Sequence, residues 1–175
     1  MQIKEIFYIF AFIITNYTFY HKIYSSDIRR AHSTALHTAK HKNLDVILTE
    51  GMREIKAGKW EQMKFADISV EYPELYHVWY NDISKCRCPD GESVAELFER
   101  VVKTFKEIVA KNDGKTVMIA THATPIRAMF CHIDGKDVSE MQSIRWVPNA
   151  SVTVVECDGD SYNVVLRGEY SHLEK

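Results

Sequence analysis

Lys115 to Ala128 reads KTVMIATHATPIRA, an apolar run that stops at Thr121-His122 and resumes after Thr124-Pro125. Val117, Met118, Ile119 and Ala120 have the pattern of a strand buried on both faces, as in a parallel sheet covered by helices. Thr124 is then expected as N-cap with Pro125 at N1, where a missing N–H costs nothing, and Ile126, Met129 and Phe130 open a helical face. His122 falls between strand end and helix start. In open α/β sheets ligands bind at such junctions, and a helix N-terminus favours an anion; a loop histidine with no ligand is the other reading of the same pattern.

Outward from that stretch, the chain has enough material for one packed core: 175 residues, 46% of them hydrophobic. A net charge of −2 from 22 basic and 24 acidic residues, with no basic block, argues against nucleic acid as a partner. The four cysteines, Cys86, Cys88, Cys131 and Cys157, do not make a disulfide framework. Reduced thiols and a cytoplasmic location are the expectation. Cys86-x-Cys88 has no second pair at zinc spacing, so no metal is expected.

The residues before Lys22 are atypical, and a division into a segment 1–21 and a domain 22–175 is expected. Ile6 to Ile14, IFYIFAFII, is nine apolar residues, far short of the ~20 that cross a bilayer as a helix. Its aromatic and β-branched content suits a buried strand, ahead of a membrane-associating segment and of a signal peptide. Lys4 precedes the run, but Thr15-Asn16-Tyr17-Thr18 offers no small-x-small cleavage pattern. No membrane partner is expected.

From Lys22 the elements are legible. Lys22-Ile23-Tyr24 reads as a strand, Ser25-Ser26-Asp27 as helix-capping residues, and Ala31, Ala35, Leu36 and Ala39 as the close-packing face of a helix. Arg29 and Arg30 fall in its first turn, where the macrodipole disfavours cations unless an anion sits between them and the free N–H groups. Solvated surface arginines are the alternative.

Leu44 to Leu48 follows as a strand, and Glu54 lies in a loop between Met52 and Ile55, a setting that would desolvate it toward general-acid range. An ordinary exposed glutamate is the bland counterpart. Lys64 to Asn81 reads as two short helices broken at Pro73. Ser93-Val94-Ala95-Glu96 is a capping box, after which Val94, Leu97, Phe98, Val101, Val102, Phe105, Ile108 and Val109 keep helical spacing. Val138 to Gln142 suggests a weaker helix. The runs Ser151–Glu156 and Tyr162–Leu166 flank Asp158-Gly159-Asp160 as an edge hairpin. The fold class is therefore α/β: a mostly parallel sheet with helices on both faces.

Taken together, IYSSDIRRAHSTA (23–35), MREIKAGKWE (52–61), PDGES (89–93), ATHATPIRA (120–128) and NASVTVVECDG (149–159) resemble the histidine phosphatase superfamily, or phosphoglycerate mutase-like proteins. Ser171-His172 near the C-terminus resembles the broad-specificity and α-ribazole phosphatase-like branch, which favours a phosphatase over a mutase. The resemblance implies a phosphomonoester hydrolase that passes the phosphoryl group to a histidine and then to water, without metal or other cofactor, and acts on a small-molecule phosphate ester. It implies Arg30 as a phosphate clamp, Glu54 as the general acid that protonates the leaving oxygen, and His122 as a second pocket histidine. Dispersed positive charge from Arg30, His122 and a helix N-terminus suits the equatorial oxygens of a transferring phosphoryl group.

One departure from the family pattern counts for more than these agreements. The family nucleophile belongs to an Arg-His-Gly motif ending the first strand, about forty residues before the Ser-Ser pair, given ordinary strand, loop and helix lengths. Only 24 residues precede Ser25 here, no Arg-His-Gly occurs, and the first arginine is Arg29. His21 precedes the Ile23-Tyr24 strand and is expected at the opposite end of the sheet; His32, His37 and His41 lie on the following helix. The first strand is thus expected to be lost or replaced. Three readings are open: a truncated or misread gene product with impaired or no turnover, a non-catalytic phosphoester binder of the same fold, or slow catalysis with His122 as nucleophile. Loss of a central strand would leave its neighbours unpaired unless Ile6 to Ile14 fills the slot.

Overall fold

The computed structural model describes the backbone of residues 5–9 and the whole of residues 19–173. Residues 10–14 of the apolar run and the Thr15–Thr18 stretch lie outside the described residues. Six strands form one sheet in the order β3-β2-β4-β1-β5-β6. They are β1 Glu5–Ile9, β2 Lys22–Ser25, β3 Val46–Leu48, β4 Thr116–Ala120, β5 Val152–Asp158 and β6 Ser161–Glu169. Pairs β3/β2, β2/β4 and β4/β1 are parallel, and β1/β5 and β5/β6 antiparallel.

The slot at the sheet centre is filled. Ile6 to Ile9 register with Thr116 to Ile119 on one side, and Glu5 to Ile9 with Cys157 to Thr153 on the other. Without this strand the facing edges of β4 and β5 would leave a row of buried N–H and C=O groups unpaired. Aromatic and β-branched residues favour that extended conformation over a short helix.

Alternation along β4 separates the two faces of the core. Val117 and Ile119 join the larger cluster, with Val94, Leu97, Val101, Phe105 and Ile108 of α4 (Val94–Ala110) and Ile126, Met129 and Phe130 of α5 (Ala123–Ile133). Met118 and Ala120 point the other way, onto Ala35 and Ala39 of α1 (Arg29–Lys42), with Ile23 and Tyr20 beside them. Small residues on α1 let its backbone approach the sheet closely.

The capping box forms as expected. Glu96 N–H donates to Ser93 Oγ at 3.2 Å and Ser93 N–H to Glu96 Oε2 at 2.8 Å. Chain reversal at Gly159 (φ +59°) closes the β5/β6 hairpin with β6 at the sheet edge. Between β3 and α4, the break at Pro73 separates α2 (Phe65–Glu71) from α3 (Pro73–Asn81).

Two local expectations need correction. Helix α5 starts at Ala123 with His122 as N-cap, so Thr124 is not the cap and Pro125 is the third helical residue. The first intrahelical bond runs from Ile126 N–H to His122 O at 3.1 Å, so a proline one step earlier removes no bond. At α1 the N-cap is Ile28, without a side-chain cap bond; Ser25 ends β2, Ser26 Oγ accepts from Ile28 N–H, and Asp27 pairs with Arg53. The weaker helix expected from Val138 forms as a 3₁₀ helix, Val138–Ser143.

Candidate active site

The carboxyl ends of the parallel strands β2 and β4 deliver two adjacent turns. Ser26 N–H donates to Ala120 O at 2.9 Å, which joins them. His122 follows β4 and Ser26 follows β2, and His122 Nε2 lies 2.9 Å from Ser26 Oγ. Both side chains are buried, His122 to 5% exposure. Burial chiefly, and then the charges of Arg30 and Arg100, push the imidazole down to about 4. It is therefore neutral at pH 7, with one ring nitrogen held by the hydroxyl.

Glu54 comes from a third segment, the loop after β3. Thr121 Oγ donates to Met52 O at 2.7 Å and ties that loop to the end of β4. Its carboxylate is half-buried and faces the start of α5: Oε1 accepts from Ile55 N–H at 2.8 Å and Oε2 from Thr124 N–H at 3.4 Å. An acceptor there meets one of the free N–H groups of the first helical turn. Arg30 lies in the first turn of α1 as the sequence suggested, exposed, on the wall of the same cleft as Glu54 and Thr124. The structure thus gathers Arg30, Glu54 and the N-terminus of α5 around one opening, with His122 buried beside it.

His21 lies at the far end of the sheet, where its Nδ1 accepts from Thr116 N–H at 3.0 Å, at the start of β4. Among the described residues, no group of three or more His, Cys, Asp or Glu side chains could hold a metal ion. Cys86 and Cys88 are buried, and desolvation pushes their thiols up to about 11 and about 12. They remain protonated.

Residues that sequence reasoning did not single out hold this site in place. Arg100 of α4 donates to Gly51 O (3.0 Å), Arg53 O (2.9 Å) and Glu54 O (3.1 Å), and its remaining donors meet the Glu92 carboxylate at 2.5 and 2.8 Å. Arg53 in turn pairs with Asp27 and Glu50. Glu92 sits inside the PDGES motif, which was a signal for it. Arg100 had none, because a polar residue on an amphipathic helix reads as solvated surface.

The opening continues into a cleft of about 850 Å³. Residues 15–169 match the family profile described as Histidine phosphatase superfamily (branch 1). The chain belongs to the histidine phosphatase superfamily. Phosphoserine phosphatase 1 of Hydrogenobacter thermophilus is 34% identical over 145 residues, covering 83% of this chain and 68% of that protein. The metal-independent phosphoserine phosphatase of Arabidopsis thaliana is 28% identical over 153 residues, 86% of this chain and 62% of that protein. The chain thus spans about two thirds of the length of these relatives. Among solved structures, Bacillus stearothermophilus YhfR superposes with a TM-score of 0.87 at 20% identity, covering 97% of this chain and all of the other. That likeness places the histidine phosphatase fold, with its phosphoglycerate mutase-like sheet, on this chain. By family it is a hydrolase of the histidine phosphatase type.

Proposed function

We propose that this chain carries a metal-independent phosphomonoester site of the phosphatase kind, with turnover impaired for want of the family nucleophile. The observation that carries the reading is the convergence of Glu54 and Arg30 on the N-terminus of α5. A cation and free helix N–H groups bind the phosphate oxygens. A carboxyl group within reach of the same place can give its proton to the leaving alkoxide. Relatives named as phosphoserine phosphatases support the reaction class.

The chemistry breaks the ester P–O bond, forms a P–N bond to an imidazole, and returns the phosphoryl group to water. Residues 1–20 contain no histidine or arginine, and the imidazole at the pocket, His122, is buried with Nε2 held by Ser26. Transfer to that nitrogen requires the Ser26 contact to open and the ester to reach it in line, so the rate falls steeply. Phosphate binding needs neither.

The test pairs binding with turnover. Inorganic phosphate and vanadate should bind saturably to the folded chain, with chelator present, and Arg30→Ala should abolish that binding. Hydrolysis of a generic aryl phosphate should be slow but measurable, and that turnover should be lost in His122→Ala and Glu54→Gln. A folded chain that binds neither phosphate nor vanadate would overturn the reading. Binding without any turnover would instead favour a phosphoester-binding relative of the enzymes.

A further inference from the structure

The cleft that opens from Arg30 and Glu54 is far larger than a phosphate group. At about 850 Å³ it matches sites that bury an organic molecule of some size. Its far wall is aromatic: Trp60, Phe65, Trp79, Tyr80 and Trp146 all line it. Trp79 and Trp146 face each other nearly parallel, 22° apart at 6.5 Å between centroids, and Phe65 leans on Trp79 at 6.3 Å. Phe65, Tyr80 and Trp146 are each about half exposed, at 49%, 50% and 47%. Large aromatic surface gathered around one opening, beside a charged end, marks a binding groove more than a packing remainder.

Charge narrows the occupant further. The wall carries two cations, Arg30 and Arg127. Arg127 is already committed: Nε donates to Ile144 O at 2.7 Å, Nη2 to Gln142 O at 2.9 Å, and its guanidinium carbon sits 4.5 Å from the centroid of the Trp146 ring. Arg127 is buried, at 4% exposure, so among the described wall residues Arg30 is the exposed cation, and with a phosphate on it the wall offers little to a carboxylate such as that of phosphoserine.

We infer that the cleft takes a phosphomonoester whose alcohol is apolar and aryl-bearing, with the ring against Trp79, Trp146 and Phe65 and the phosphate at Arg30. This rests on the phosphate site proposed above. Burial of a ring against aromatic faces removes apolar area from water and adds the preference of π systems for offset stacking.

Titration calorimetry of the full chain with three probes tests it: inorganic phosphate, phosphoserine, and 1-naphthylmethylphosphonate, whose C–P bond resists hydrolysis. The naphthyl probe should bind about tenfold tighter than inorganic phosphate or more, given the apolar area a naphthyl ring can bury, and phosphoserine no tighter than inorganic phosphate. In Trp146→Ala and, separately, Phe65→Ala, the ratio of naphthyl to inorganic phosphate affinity should fall about fivefold, the scale of one aromatic contact. Inorganic phosphate binding with no naphthyl advantage would overturn the aryl assignment and leave the phosphate site standing. Failure of all three probes would overturn both.

Discussion

Arg100 Nη2 donates to the backbone carbonyl of Glu54 at 3.1 Å, so the strongest helix of the chain grips the loop that presents the candidate acid. Its guanidinium fork is filled by Gly51, Arg53 and Glu54 carbonyls on one side and by Glu92 on the other. Replacing it with methionine leaves three carbonyls and a carboxylate short of donors. Arg100→Met should lower stability by about 2–4 kcal/mol, the range for breaking a partly buried hydrogen-bonded pair, as read by denaturant unfolding. Arg100→Lys should recover only part of that, because an ammonium cannot span the same fork.

The loop also passes close over α4 at Gly51. A Cβ there would fall 1.9 Å from Thr104 Oγ, so Gly51→Ala must displace either the loop or the helix. A loss of about 1–3 kcal/mol is expected from such overpacking, along with weakened vanadate binding as Glu54 shifts. The double variant Gly51→Ala/Thr104→Ala should lose less than the sum of the two single changes, because the clash has one source. Strict additivity in a double-mutant cycle would contradict the close approach.

His122 should make the fold acid-sensitive. Its pKa lies near 4 in the folded chain, lowered by burial first and by Arg30 and Arg100 next, against 6.5 for an unhindered imidazole. Between those values the unfolded chain binds a proton that the folded chain refuses. Stability therefore drops as pH falls from about 6.5 toward 4, by on the order of 2–3 kcal/mol. Chemical denaturation across pH 4–7 should show this slope, and His122→Asn should flatten it. An unchanged slope in the variant would assign the effect to other groups.

Ser26→Ala removes both the contact to His122 Nε2 at 2.9 Å and the acceptor for Ile28 N–H at 3.2 Å. The hydroxyl is fully buried, so water does not replace it. A cost of about 1–2 kcal/mol is expected. The imidazole should also rotate more freely, visible as a shift of its ring proton resonances in NMR.

The elements that were legible in sequence are those set by local pattern. The Ser93/Glu96 box, the helical spacing from Val94 through Ile108, the break at Pro73 and the buried run of β4 each lie within one helix, one turn or one strand, and each formed. The helix starts at α1 and α5 were read less well. Asp27 and Ser26 have capping chemistry, but Arg53 and His122 compete for them from 26 and 96 residues away.

By itself, then, the sequence determined the α/β class, the order of the elements and the residue types of an anion pocket, because periodicity, caps and turn residues act between near neighbours. Only the tertiary structure decided that Glu5–Ile9 pairs between β4 and β5. It alone set Glu54 against the start of α5, made Arg100 a clamp, and turned Trp79 and Trp146 into one wall. Those outcomes depend on hydrogen bonds and ring contacts between residues tens of positions apart, whose partners are chosen by how the sheet and helices pack.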